Sequence, residues 1–323
     1  GLMNRERWLR RGVSTLGWLA SLLGALMVAL QVFPRVQLRH PYMALAASFI
    51  PYGTFAWAVA TLALVFARRW WVQLGSVLTV AALLLQLAWT RPYWPWQAPT
   101  NHTDLTVMTQ NTYYGWANHA DVLAALERYH PDIVVLSEAT MQLQGLFDDP
   151  RWQAQLPYHV GAPGEDWHSN SLMVFSRVPL TPLEGDDPGE HYRVLRAELP
   201  SDPVSVIAVH ADNPTDRFPG WVSDLAKVRT AASQHTGPLV VLGDFNAVRE
   251  HAPLRDLLSV GLTDAAEQSG AGFLPTYRAN RWLPALIRID HVLVDGQLSA
   301  SWMTSLATQG TDHWGLVAGL ART

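Results

Sequence analysis

Between residues 101 and 323, apolar runs repeatedly end in polar residues of a restricted kind. Gln110-Asn111-Thr112 follows one run, Ser137-Glu138 a second and His210-Ala211-Asp212-Asn213 a third. Gly243-Asp244-Phe245-Asn246 follows the apolar stretch 239–242, Ile289 leads into Asp290-His291, and Thr311-Asp312-His313-Trp314 precedes the last apolar stretch. One carboxylate or amide after a strand is usually a turn or cap residue. Six such ends in one region together supply hard oxygen ligands, an acid–base pair and amide donors. That inventory suits a divalent cation acting on a phosphate ester.

Such residues need strands that end at one edge. Alternation and β-branched content predict strands at 105–110, 133–136, 172–175, 192–199, 204–209, 239–242, 289–294 and 316–320. Helices are predicted at 118–129, with Asn118 as cap, and at 221–233 and 253–259. Many strands with few helices indicate a layered α+β sandwich flanked by helices, not a doubly wound parallel sheet.

The set Gln110-Asn111, Ser137-Glu138, His210, Gly243-Asp244-Phe245-Asn246, Ile289-Asp290-His291 and Asp312-His313 resembles the endonuclease/exonuclease/phosphatase superfamily, which includes DNase I-like nucleases, neutral sphingomyelinases and inositol polyphosphate phosphatases. The resemblance implies a four-layered α/β sandwich over 101–323 and a Mg²⁺-dependent phosphoesterase, with Mn²⁺ or Ca²⁺ as alternative ions. It implies Glu138 as metal ligand, Asn111 at the metal or phosphate, and Asp312 completing the metal environment. Asp244 then orients or deprotonates water, Asn246 donates to a phosphoryl oxygen, His313 is paired with Asp290, and His210 contacts phosphate. Three residues stay open at this level. His291 stands where Tyr is common and reads as packing. Asp212 either pairs with His210 or caps a turn, and Asn170 either lines the site or shapes a turn.

Residues 1–100 are of a different kind. Three runs, 13–33, 42–67 and 72–89, come near or above the roughly 18–20 residues that cross about 30 Å of hydrocarbon. They make 1–91 a membrane anchor with three transmembrane helices, joined to the catalytic domain by a Pro/Trp-rich linker at 92–100. Arg5, Arg7, Arg10 and Arg11 precede the first run, and Arg68 and Arg69 lie between the second and third. By the positive-inside rule these sit in the cytoplasm, so three spans place the C-terminal domain outside it. Trp70, Trp71, Trp89, Trp94 and Trp96 fall at span ends, where indoles prefer the headgroup region.

Charge divides the same way. Residues 1–100 hold nine arginines and one acid, +8; the remaining 14 basic and 26 acidic residues give −12. An acidic domain is a poor partner for nucleic acid, whose binding relies on neutralising phosphates. The chain has no cysteine, which excludes disulfides and thiolate chemistry. Its one lysine, Lys227, has no glycine-rich loop beside it. Trp116, Trp167, Trp221, Trp282 and Trp314, with Phe218, fall in or beside the motif loops and suggest an aromatic rim, with Trp116 and Trp221 as substrate contacts.

Three spans followed by this domain resemble the membrane-bound teicoplanin-resistance proteins of actinobacteria. That resemblance implies an extracytoplasmic enzyme at the lipid bilayer acting on a lipid-linked phosphate of the cell envelope, with undecaprenyl pyrophosphate the candidate. The alternatives are a phospholipase C- or sphingomyelinase-like phosphodiesterase, then a nuclease, then a non-catalytic binding protein.

Overall fold

A computed structural model describes residues 2–66, 69–96, 100, 102–165, 171–187, 189, 191–280 and 282–323. The chain divides into two compact units, Gly1–Pro92 with Glu250–Ala252, and Tyr93–Arg249 with Pro253–Thr323.

Among the described residues of the first unit, two helices are long and apolar enough to cross a membrane, Met3–Val32 and Trp70–Trp89. The run expected as one span over 42–67 is broken instead. Pro41–Ala47 and Ile50–Val65 pass the same test only as a pair, bent by 56°. Pro51 explains the break: it has no N–H, and its ring would clash with the carbonyl four residues back, that of Ala47, where the first piece ends. The buried Gln86 donates Nε2 to the Ile50 carbonyl at 2.9 Å, a second donor there beside the Gly53 N–H, and so ties Trp70–Trp89 to the bend. Gly24 lets the Trp57 ring lie directly against the first helix, in space a Cβ would occupy.

Among its described residues the second unit contains twelve strands: β1 (Leu105–Asn111), β2 (Ile133–Ser137), β3 (Tyr158–Val160), β4 (Met173–Ser176), β5 (Leu180–Pro182), β6 (Tyr192–Ala197), β7 (Val204–His210), β8 (Leu239–Asp244), β9 (Thr263–Asp264), β10 (Asp290–Val294), β11 (Leu298–Leu306) and β12 (Gly315–Arg322). They form two six-stranded sheets, ordered β11-β12-β1-β2-β4-β3 and β5-β6-β7-β8-β10-β9. One face of each sheet meets the other in a core that includes Val107, Ile133 and Leu316 from the first and Val206, Val240 and Val292 from the second. Helix His119–Tyr129 covers the outer face of the first sheet through Val122, Leu123 and Leu126. Helix Phe218–Gln234, which buries Trp221, Leu225 and Val228, belongs to the second. The result is the four-layered α/β sandwich. Asn118 caps its helix as expected, its Oδ1 accepting from the Asp121 N–H at 3.1 Å.

Register brings the motifs together. β1 pairs parallel with β2, setting Asn111 opposite Ser137 beside Glu138. β7 pairs parallel with β8 and β10 antiparallel with it, so that His210 and Asp290 both stand level with Asp244. Gly243 is required at this point. Its φ is +143°, and a Cβ there would run into the Val209 backbone of the neighbouring strand.

Candidate active site

The strand ends converge on an open cleft of about 590 Å³ lined by Glu138, His210, Asp244, Asn246, Asp312 and His313, among others. Asp244 lies at its centre and is buried. Its Oδ1 accepts the Asn246 N–H at 2.9 Å, and its Oδ2 accepts the Asn111 amide at 2.8 Å. The same Asn111 Nδ2 reaches Glu138 Oε1 at 3.1 Å, so one amide links the ends of β1, β2 and β8. Glu138 adopts φ +54° and Asn246 φ +46°, left-handed conformations that non-glycine residues hold at a cost of about 1–3 kcal/mol and that concentrate at functional sites.

Charge is distributed unevenly. Burial and then the Asp290 carboxylate push Asp244 up to about 6, against the pull of His313 and His210. Burial opposes a charge on His313, but the carboxylates of Asp290 and Asp244 outweigh it and push its imidazole up to about 10. Asp290 Oδ2 lies 2.7 Å from His313 Nδ1, which fixes the tautomer and turns Nε2 toward Asp244, at 3.7 Å, and Asp312, at 3.8 Å. For Glu138, burial opposes ionisation, yet His210 at 3.6 Å and the Asn111 amide hold its carboxyl below its usual value. Asp312 is shifted the opposite way, raised by burial and by the charge of Glu138, against His313 and Arg278.

These groups fit a divalent cation. Glu138 and Asp312 face the cleft with like charge, and carboxylate oxygens are the donors a hard ion prefers. Asn111 turns its Nδ2, not its Oδ1, toward Glu138 and Asp244. Asp244, Asp290 and His313 also present ligand atoms within 4.8 Å of one another. The short His313–Asp290 contact makes an acid–base array the better description of that group.

The sequence profile described as the Endonuclease/Exonuclease/phosphatase family matches residues 108–313. The chain belongs to this family. It is accordingly a metal-dependent hydrolase of phosphoric esters. No curated protein matches it. Among solved structures, its fold is similar to an endonuclease/exonuclease/phosphatase from Beutenbergia cavernae DSM 12333, at 21% identity over 68% of this chain and 72% of that one, with a TM-score of 0.53. It is similar to D. rerio TDP2 complexed with single strand DNA product, at 15% identity over 67% and 98%, TM-score 0.54. A third is the Bacteroides thetaiotaomicron VPI-5482 mannosyl-6-phosphatase, at 16% identity over 68% and 100%, TM-score 0.51.

Several expectations need correction within this family frame. Trp221 is fully buried and donates Nε1 to the Phe245 carbonyl at 3.3 Å; it packs beneath the Gly-Asp-Phe-Asn turn and does not touch substrate. Trp116 is exposed, but among the described residues the aromatic wall of the cleft is Tyr113, Tyr114 and Tyr277. Asn170 and Trp167 lie outside the described residues. Asn246 donates Nδ2 to the Ala211 carbonyl at 2.8 Å, which leaves one N–H for a phosphoryl oxygen. His291 needs no correction: it is buried between Asp264, at 3.3 Å, and the Ala247 carbonyl, at 2.6 Å, in line with its reading as a packing residue.

Other cleft residues carried no motif. His191 sits beside His210, whose N–H donates to the His191 carbonyl, and its Nδ1 lies 3.1 Å from the buried Asp224. Asp224 also accepts the Asp212 N–H at 2.9 Å, while the Asp212 carboxylate faces Arg217 at 3.9 Å. Tyr277 packs its ring 5.0 Å from that of His313, and Arg278 stands 3.9 Å from Asp312. The composition of the Leu183–His191 and Thr276–Ile289 loops gives no periodic signal for these positions; only the register of β6 against β7 reveals His191.

Proposed function

We propose that this chain is a membrane-anchored phosphoesterase that removes phosphate from a phosphorylated or pyrophosphorylated lipid of the cell envelope, with undecaprenyl pyrophosphate as its candidate substrate. One observation carries the reading: a phosphoesterase cleft and helices apolar enough to cross a membrane occur in the same chain. The −12 balance of residues 101–323 favours a substrate presented by a bilayer over a polyanionic nucleic acid. With the bent pair counted as one span, the arginine bias puts the N-terminus in the cytoplasm and the catalytic unit outside it.

Each residue has a role. Glu138 and Asp312, with Asn111 orienting Glu138, would hold a hard divalent cation such as Mg²⁺, which when bound would neutralise charge on the phosphoryl oxygens. Asp244, poised near 6, takes a proton from the attacking water. His313, charged at neutral pH and held by Asp290, donates Nε2–H to the phosphoryl group as negative charge develops there. His210 and the remaining Asn246 N–H complete the donors around that group.

The test offers the full chain in detergent, with Mg²⁺, undecaprenyl pyrophosphate, phosphatidylcholine, sphingomyelin and plasmid DNA. Phosphate release from the first alone, abolished by EDTA and by Asp244→Ala, is the expected result. Choline phosphate release from the other lipids would establish a phosphodiesterase instead. DNA nicking without lipid turnover would refute the proposal.

A further inference from the structure

The loop between Thr276 and Ile289 carries an apolar tip rooted in the active site. Trp282 is 78% exposed, Leu283 65% and Leu286 47%. Single exposed apolar residues are ordinary, but three within five positions, one of them Trp, leave an apolar projection in water. The backbone beneath them is pinned. Tyr277 and Ile287 exchange backbone hydrogen bonds of 2.9 and 3.1 Å, and Asn280 Oδ1 accepts from the Trp282 and Leu283 N–H groups at 2.8 and 2.7 Å. The base touches the chemistry: the Ala279 N–H donates to the Asp312 carbonyl at 2.7 Å, and the Tyr277 ring lies against His313.

The geometry points to this tip as a bilayer-inserting element that seats the cleft on the lipid surface. It rests on the reading of the substrate as a lipid phosphate and specifies how that substrate is reached. Four observations favour a lipid partner. The chain itself carries membrane-crossing helices, which keep a bilayer at high effective concentration. Trp is the residue that prefers the headgroup region. Arg278, 64% exposed by side chain at the loop's base, offers a cation to anionic headgroups or to the substrate phosphate. The pinned backbone means that little ordering entropy opposes insertion.

Chain length sets the reach. Trp282 is three residues beyond Ala279, so the tip stands at most about 11 Å from the residue bonded to Asp312. The polar layer of one leaflet is about 5–8 Å thick. With the tip at the lower edge of that layer, a headgroup phosphate lies within range of His313 and Asp312 while its hydrocarbon tail stays in the membrane.

The absence of cysteine makes the test clean, because one introduced thiol is the only one to label. Full-length Trp282→Cys, carrying an environment-sensitive fluorophore, is placed in phosphatidylglycerol/phosphatidylethanolamine vesicles containing a nitroxide-labelled phosphatidylcholine. Gln234→Cys, on the exposed end of helix Phe218–Gln234, is the control. Nitroxide lipid should quench the label at 282 about twofold or more above the control, and aqueous iodide should quench it less. In a second arm, turnover of vesicle-embedded undecaprenyl pyrophosphate relative to water-soluble geranyl pyrophosphate should fall about tenfold in Trp282→Asp/Leu283→Asp. A label at 282 that is open to iodide and untouched by nitroxide overturns the inference, as does protection that vanishes when the protein is diluted in the membrane, which would mean a second copy covers the tip. Nitroxide quenching without any lipid turnover would sustain the inserted tip and refute the substrate reading; lipid turnover with a water-exposed tip would do the reverse.

Discussion

Replacing Asp290 by Asn keeps the size of the side chain and removes its charge. Asp290 Oδ2 is 2.7 Å from His313 Nδ1 and supplies the largest of the effects that push His313 up to about 10. It is also, after burial, the next contribution holding Asp244 up to about 6. The working form needs Asp244 ionised and His313 protonated. Activity in the wild type therefore rises as pH passes about 6 and falls as it passes about 10. An opposite charge at this range changes a pKa by about 1–3. Asp290→Asn should bring the alkaline limb down by about that much, because the imidazolium loses its counter-ion. The acid limb should also move down, because Asp244 loses a repelling neighbour. Loss of the orienting contact adds a fall of about 100-fold at the optimum, the scale of general acid catalysis. The assay is phosphate release as kcat/KM against pH at fixed Mg²⁺. A profile lowered in height with both limbs unmoved would refute the reasoning, since Asp290 would then affect neither titration.

Other outcomes follow from the same geometry. Glu138→Gln should weaken Mn²⁺ binding about 100-fold by titration calorimetry, on the scale of metal-site substitutions, and unchanged affinity would place the ion elsewhere. Asp264 is buried against Arg288 and His291, both at 3.3 Å, and these charges hold its carboxyl far below the usual range. Its stabilising contribution is present above about pH 3.9, the unfolded value, and is lost as pH falls from there toward the depressed folded value. Asp264→Asn should therefore cost about 3–5 kcal/mol at pH 7 in thermal melts, with the gap to wild type closing in acid. Gly243→Ala should destabilise the catalytic unit by about 3 kcal/mol or more, since a Cβ there meets backbone and not a movable side chain; a wild-type Tm would contradict the strand contact.

The catalytic residues were legible because the chemistry is written at strand ends, and strand ends are marked by a change from apolar to polar residues. Asp244 and Asn246 could be found from Gly-Asp-Phe-Asn alone. The elements that escaped are those whose pattern is weak. β11, Leu298–Leu306, reads Leu-Ser-Ala-Ser-Trp-Met-Thr-Ser-Leu, an edge strand whose Ser and Thr dilute the alternation. The break at Pro51 was legible in principle, since proline ends a helix, but the uninterrupted hydropathy over 42–67 concealed it. Trp221 was misplaced because sequence proximity to a motif does not show which face of a helix a residue occupies; its helix turns it into the core. His191 and Asp224 required tertiary register, because they lie 33 residues apart and meet only through β6, β7 and the helix that follows.

The most direct measurement is product balance on a lipid substrate. Full-length chain in vesicles, given undecaprenyl pyrophosphate and Mg²⁺, should release inorganic phosphate and undecaprenyl phosphate in equal amounts, and Asp244→Ala should release neither. Intact lipid in the presence of a chain that binds Mn²⁺ and hydrolyses a different phosphoric ester in an Asp244-dependent manner would contradict the assignment.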